Sequence, residues 1–213
     1  MHLKSLITAA LVVGGVQLGV FAQEQNLPNH VHYKEPAQQG VSPTGAVAPR
    51  LQKLGNHKFP VSTKNAQAQL FMNQGLNLSY AFNHAEAGRA YREAARLDPT
   101  LAIAFWGQAL ALGPNINAPM TPDSEPLALE AIKKADALRA NASPREQALI
   151  DALKFRYNGR HEDRRANDVA YADAMRKVHL QFPDDDDISM LYVESVMDLR
   201  PWGYWTQIGR AHV

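Results

Sequence analysis

The sequence predicts an all-α protein, a solenoid of about three and a half helix-turn-helix pairs that follows an export signal and a flexible tether. Three observations lead there. From Thr63 onward proline and glycine become rare and apolar residues recur at helical spacing. The window 68–99 holds two such stretches separated by a short polar break, with small residues set against bulky ones. Prolines stand where helices must stop, at Pro99 and Pro183, because proline lacks an amide donor and clashes with the preceding turn.

Composition narrows the chemistry before any motif is read. The 213 residues are 46% hydrophobic and 20% charged, with 22 Lys+Arg against 21 Asp+Glu. That apolar fraction suits a folded domain. A net charge of +1 gives no broad electrostatic footprint for nucleic acid, so no nucleic-acid partner is expected. The absence of cysteine excludes disulfides, thiolate metal ligands and cysteine nucleophiles.

Residues 1–22 read as a secretory signal peptide. Lys4 supplies a positive start, an apolar run over 6–20 follows, and Ala22 offers a small residue for cleavage before Gln23. The run falls short of the about 20 apolar residues that span a bilayer, and it contains Gln17, so no membrane span remains after cleavage. No cysteine follows it, so no lipid anchor is expected. The expected location is periplasmic or secreted. Residues 23–53, with Pro28, Pro36, Pro43 and Pro49 and no sustained period, read as a flexible linker. His30 and His32 within it lack a third ligand on an ordered element, so they make a poor metal site.

Residues 54–207 form the predicted array. In the first pair Phe71, Gly75 and Leu78 share one helix, and Ala87, Tyr91 and Ala94 the next. Gly75 and Ala87 are small where two helices must approach closely. A second pair starts at Ala102, with Phe105, Ala109 and Leu112, and its return helix comes late, with Ala128, Ile132, Ala135 and Leu138. The interval 113–122 contains three prolines and must be a loop. Ser143, Pro144 and Glu146 form a capping box that opens a third pair, its first helix running to about Tyr157 and its second spanning 164–181. A last helix is predicted over 185–199. The aspartates 184–187 precede it, where negative charge offsets the helix dipole; calcium loops space their ligands differently.

The 68–99 window, with Phe71, Gly75, Leu78, Ala87, Tyr91, Ala94 and Pro99 in register, resembles a tetratricopeptide repeat (TPR). More widely, the chain is similar to exported bacterial tetratricopeptide proteins. That likeness rests on Leu54-Gly55-Asn56-His57-Lys58-Phe59-Pro60, Tyr80-Ala81-Phe82-Asn83-His84-Ala85-Glu86-Ala87, Trp106-Gly107, Gly113-Pro114-Asn115-Ile116-Asn117, Phe182-Pro183-Asp184-Asp185 and Asp198-Leu199-Arg200-Pro201-Trp202. It implies stacked helix pairs outside the cytoplasm and implies no reaction. Related chains carry further helical pairs, and the last six residues, 208–213, look like a translated sequencing adapter. The natural frame is therefore expected to end near Gln207, leaving an N-terminal fragment whose uncovered last repeat exposes apolar surface.

In such arrays the first helix of each pair lines the concave face. The resemblance points Met72, Asn73, Leu76, Ser79 and Tyr80 inward, followed by Ile103, Trp106 and Leu110, with Asn115 and Asn117 nearby on the loop. Amides that pair with backbone groups beside an apolar Trp106 suit a peptide or other extended chain. The alternative is that these side chains pack against the loop that follows Leu112. The most enzyme-like cluster is His84 with Glu86, with His57 able to join it as a metal ligand or to anchor the tether; Asn83 and Glu86 also read as a capping pair. His161 and His179 read as ordinary solvated or packing histidines, and Arg164-Arg165 as a charged helix start. No His-Glu-x-x-His, Gly-x-Ser-x-Gly or phosphate-binding glycine loop occurs, so no catalytic residue and no cofactor is assigned. The expected role is a non-catalytic interaction module with a protein, peptide or small-molecule partner. The competing expectation is a metal-binding protein or metal-dependent enzyme around His57, His84 and Glu86.

Overall fold

A computed structural model describes residues 45–201. The export signal, its cleavage after Ala22, the tether up to residue 44 and the tail 208–213 lie outside the described residues. Within them are seven α-helices and three short 3-10 turns, with one isolated bridge, between Asn115 and Ala118, as the sole extended pairing. The all-α expectation holds for these residues. No helix among them is long and apolar enough to cross a membrane.

The helices begin where side chains can take up free backbone amides. α1 (Ala66–Tyr80) is capped by Asn65, which accepts from the Gln67 and Ala68 amides. α2 (His84–Leu97) is capped by Asn83, which accepts from the Glu86 amide. Glu86 does not close the reciprocal half of a capping box, because its carboxylate turns to Arg89, 3.0 Å away. α3 (Ala102–Leu112) and α4 (Ser124–Ala137) flank the expected loop. α5 (Pro144–Leu153) starts at the predicted capping box, complete in both directions. It stops sooner than Tyr157 and gives way to a 3-10 turn, Lys154–Arg156. α6 (Arg164–Gln181) has the predicted bounds, and α7 (Asp186–Met197) is capped by Asp185, which accepts from the Ile188 amide. The 184–187 cluster is thus partly a cap.

The helices pack in chain order: α1 on α2, α2 on α3, α3 on α4, α5 on α6 and α6 on α7. Successive odd-numbered helices also touch, α1 with α3 and α3 with α5. The tightest junction is Tyr91, fully buried between two glycines: a Cβ added at Gly75 or at Gly107 falls within 3.0 Å of its ring. Both glycines are therefore fixed by the ring between them.

Residues 45–53 are no free tether. The Val47 amide donates to Glu93 Oε2 (2.8 Å), and Arg89 Nε donates to the Val47 carbonyl (3.0 Å). Gln74 grips the next stretch with both ends of its amide, accepting from the Leu51 N–H (2.9 Å) and donating to the Pro49 carbonyl (3.0 Å). A segment without period still satisfies its backbone groups here, using side chains of distant helices.

Candidate functional site

Gln69, Asn73 and Asn77 occupy one stripe of α1, four residues apart, with Tyr80 at its end. Over this stripe lies the segment 57–61, with no regular structure of its own, running antiparallel to α1. Asn77 Nδ2 donates to the His57 carbonyl (3.3 Å) and Asn73 Oδ1 accepts from the Phe59 amide (2.9 Å). Gln69 donates to the Phe59 carbonyl (2.7 Å) and accepts from the Val61 amide (3.0 Å). The match is geometric. Four residues of helix advance about 6 Å and two residues of extended chain about 6.6 Å, so each amide meets every second residue of the segment. Gln69 Nε2 also donates to Asn73 Oδ1 (2.9 Å), which orients the ladder internally.

Phe59 is the segment's apolar anchor. Its side chain is fully buried, its ring stacks on Trp106 with centroids 6.1 Å apart, and the Arg145 guanidinium covers it 4.5 Å from the ring centroid. Beyond it, buried Glu146 accepts from the Ser62 amide (2.9 Å) and from the Ser62 hydroxyl while also closing the α5 capping box.

Asp187 ties this face to α7. Its Oδ1 accepts from Tyr80 Oη (2.9 Å) and lies 2.8 Å from His57 Nε2, and its Oδ2 is 3.4 Å from Arg145 Nη2. Burial and the Asp187 charge push the Tyr80 phenol far above its ordinary range, so it stays a donor. A second polar cluster centres on buried Arg156, which reaches Asp198 Oδ2 (2.6 Å), Asp168 Oδ1 (3.2 Å) and the Pro114 carbonyl (3.1 Å). Burial raises the Glu194 carboxyl to about 7, with Asp198 adding to the rise and Arg156 opposing it. Burial first, and then the Arg156 charge, lower His84 to about 4.

The residues read from sequence fall into separate groups. Asn73, Tyr80 and Trp106 all meet the 57–61 segment or its Asp187 anchor. Trp106 and Leu76 are fully buried and Leu110 nearly so; they line no open groove, since Phe59 and the packed helices cover them. Met72 and Ile103 belong to the same core. Asn115 serves its own loop, its Oδ1 accepting from the Asn117 (2.9 Å) and Ala118 (3.1 Å) amides, while Asn117 is exposed. His57, His84 and Glu86 do not converge. His57 goes to Asp187, Glu86 to Arg89, and half-buried His84 keeps its Nε2 buried and without a hydrogen-bond partner among the described residues. No group of three or more His, Asp or Glu able to hold a metal ion occurs among those residues. His179 is a packing residue, stacked on Tyr192 and 3.1 Å from the Ser189 hydroxyl.

Not read from the sequence were Gln69, Asn77 and Arg156, the burial of Phe59 against Trp106 and the second role of Glu146 as acceptor for Ser62. The i, i+4, i+8 spacing of Gln69, Asn73 and Asn77 is a legible signal for the first two. Comparison with family models, with curated proteins and with solved structures returns no match to this chain.

Proposed function

We propose that the chain is an exported tetratricopeptide-like array that acts as a non-catalytic interaction module, with the α1–α3 face taking an extended polypeptide. One observation carries this reading: the Gln69, Asn73 and Asn77 amides bind alternate backbone groups of 57–61 while Trp106 receives its aromatic side chain. Main-chain hydrogen bonds give affinity with little sequence demand, and one aromatic pocket sets register. The chain's own segment then stands in the place of a partner strand. A partner of this class is an extended segment with an aromatic residue where Phe59 sits.

Panning a displayed peptide library against the Phe59→Ala protein tests the reading. The expected result is enrichment of peptides with an aromatic residue at one fixed position, their binding lost on Asn73→Ala. Recovery of no peptide above background, or of peptides indifferent to Asn73→Ala, contradicts it.

A further inference from the structure

A cavity of about 530 Å³ opens between residues 50–58 and the side of α1. That volume lies in the range of small-molecule sites. Arg50, Lys53 and Lys58 line it, and none of the three has a carboxylate partner among the described residues. No Asp or Glu is in the lining. The lining residue His57 reaches a carboxylate, Asp187, which Tyr80 and Arg145 also hold. Three cations around one concavity, in a chain of net charge +1, are a local concentration of positive potential.

Apart from His57, the remaining side chains of the wall are apolar or amide, among them Leu54, Leu70 and Phe71 beside the α1 amides. The backbone that presents the cations is bent into place. Lys53 has φ of 62°, a left-handed conformation that a residue with a Cβ rarely adopts, and Gly55 follows at 84°. Such conformations persist where surrounding contacts over-determine them. Here the Gln74 grip on Pro49 and Leu51 fixes one side, and the Asn77 bond to His57 fixes the other.

We infer that this cavity binds a small organic anion, a carboxylate or a phosphate monoester with an apolar body. Arg50, Lys53 and Lys58 meet the charge, while Leu54, Leu70 and Phe71 meet the body. The site adjoins the α1–α3 face, sharing Asn73 and Asn77 with it, and the inference does not rest on peptide binding there.

The test is calorimetric titration of the full chain with octanoate, octyl phosphate, inorganic phosphate and octylammonium. Octanoate or octyl phosphate is expected to bind and octylammonium not. The Arg50→Glu, Lys53→Glu, Lys58→Glu triple variant should lose affinity by about tenfold or more. Raising salt from about 0.05 M to about 0.5 M should weaken binding to the wild-type chain as well. The three side chains are exposed, so an unchanged circular dichroism melt shows that the variant is folded. A preference between the two octyl anions identifies the headgroup. Equal binding of octylammonium, undiminished octanoate binding by a folded triple variant, or no binding of either octyl anion overturns the inference. Phosphate alone binding as tightly as octyl phosphate would overturn the role given to the apolar wall.

Discussion

The ring of Phe59 stacks on that of Trp106 at 6.1 Å and 21°, joining a segment outside every helix to the middle of α3. Both side chains are fully buried, so the contact belongs to the core although one partner comes from a stretch with no periodic pattern. Phe59→Ala should cost about 3 to 5 kcal/mol, with Phe59→Leu costing less. Urea denaturation of the two variants measures the difference. Equal stability of wild type and Phe59→Ala would show that the segment does not dock in solution.

Tyr91 fixes two glycines on two helices. Gly107→Ala gains about 1 kcal/mol of helix propensity, but its Cβ meets Tyr91 Cδ1 at 2.5 Å, and overpacking of this kind costs about 1 to 3 kcal/mol. The melting temperature of Gly107→Ala and of Gly75→Ala should therefore fall. Combining Gly107→Ala with Tyr91→Leu should cost less than the two single changes added, because both act on one contact.

Glu194 and His84 carry opposite pH dependences. Folded Glu194 holds its proton up to about pH 7 against 4.5 for an ordinary glutamate, so the stabilisation is full below about 4.5 and is lost as pH rises through 7. His84, lowered from 6.5 to about 4, contributes stability that is full above 6.5 and is lost as pH falls through 4. The two slopes oppose each other between about pH 4.5 and 6.5. Glu194→Gln removes one of them. It should stabilise the protein by up to about 3 kcal/mol at pH 8 and by almost nothing at pH 4, read from thermal melts across that range. A constant difference at all pH values would mean that Glu194 ionises normally.

Asp187 is the link from α7 to the docked segment. Asp187→Ala strands the Tyr80 hydroxyl and frees the His57 side chain, while Arg145 keeps Asp185, at a cost of about 1 to 3 kcal/mol. Because His57 then loses its anchor, trypsin should cut after Lys58 sooner in Asp187→Ala than in wild type under native conditions. Peptide mapping of early fragments checks this. Unchanged cutting at Lys58 would show that Asp187 does not hold the segment down.

Much of the helical framework was legible because its determinants are local. The capping box at Ser143 and Glu146 announced α5, and Pro99 and Pro183 marked corners. α6 ends at Gln181, just ahead of the stop expected at Pro183. α5 ended early because Arg156 is drawn inward by Asp168 and Asp198, partners 12 and 42 residues away. Periodicity tells which face of a helix is apolar, not what covers it. Asn73, Tyr80 and Trp106 were legible as one face, yet the cover proved to be 57–61 and not the loop after Leu112. That segment looked unstructured because, apart from the Val61 carbonyl accepting from the Thr63 amide, its backbone bonds go to side chains on α1, leaving no pattern among neighbours. His57 was readable as an anchor, but its partner Asp187 lies 130 residues on.

The account rests on the α1 amide ladder binding extended backbone, and a peptide added in trans measures that most directly. A synthetic peptide with the sequence of residues 55–63 should bind the Phe59→Ala protein in calorimetry and raise its melting temperature. It should not bind Phe59→Ala combined with Gln69→Ala and Asn73→Ala, and should bind wild type weakly, where the groove is already filled. If the peptide binds none of the three, or binds all three alike, the face is a fixed core and the peptide-reading role is wrong.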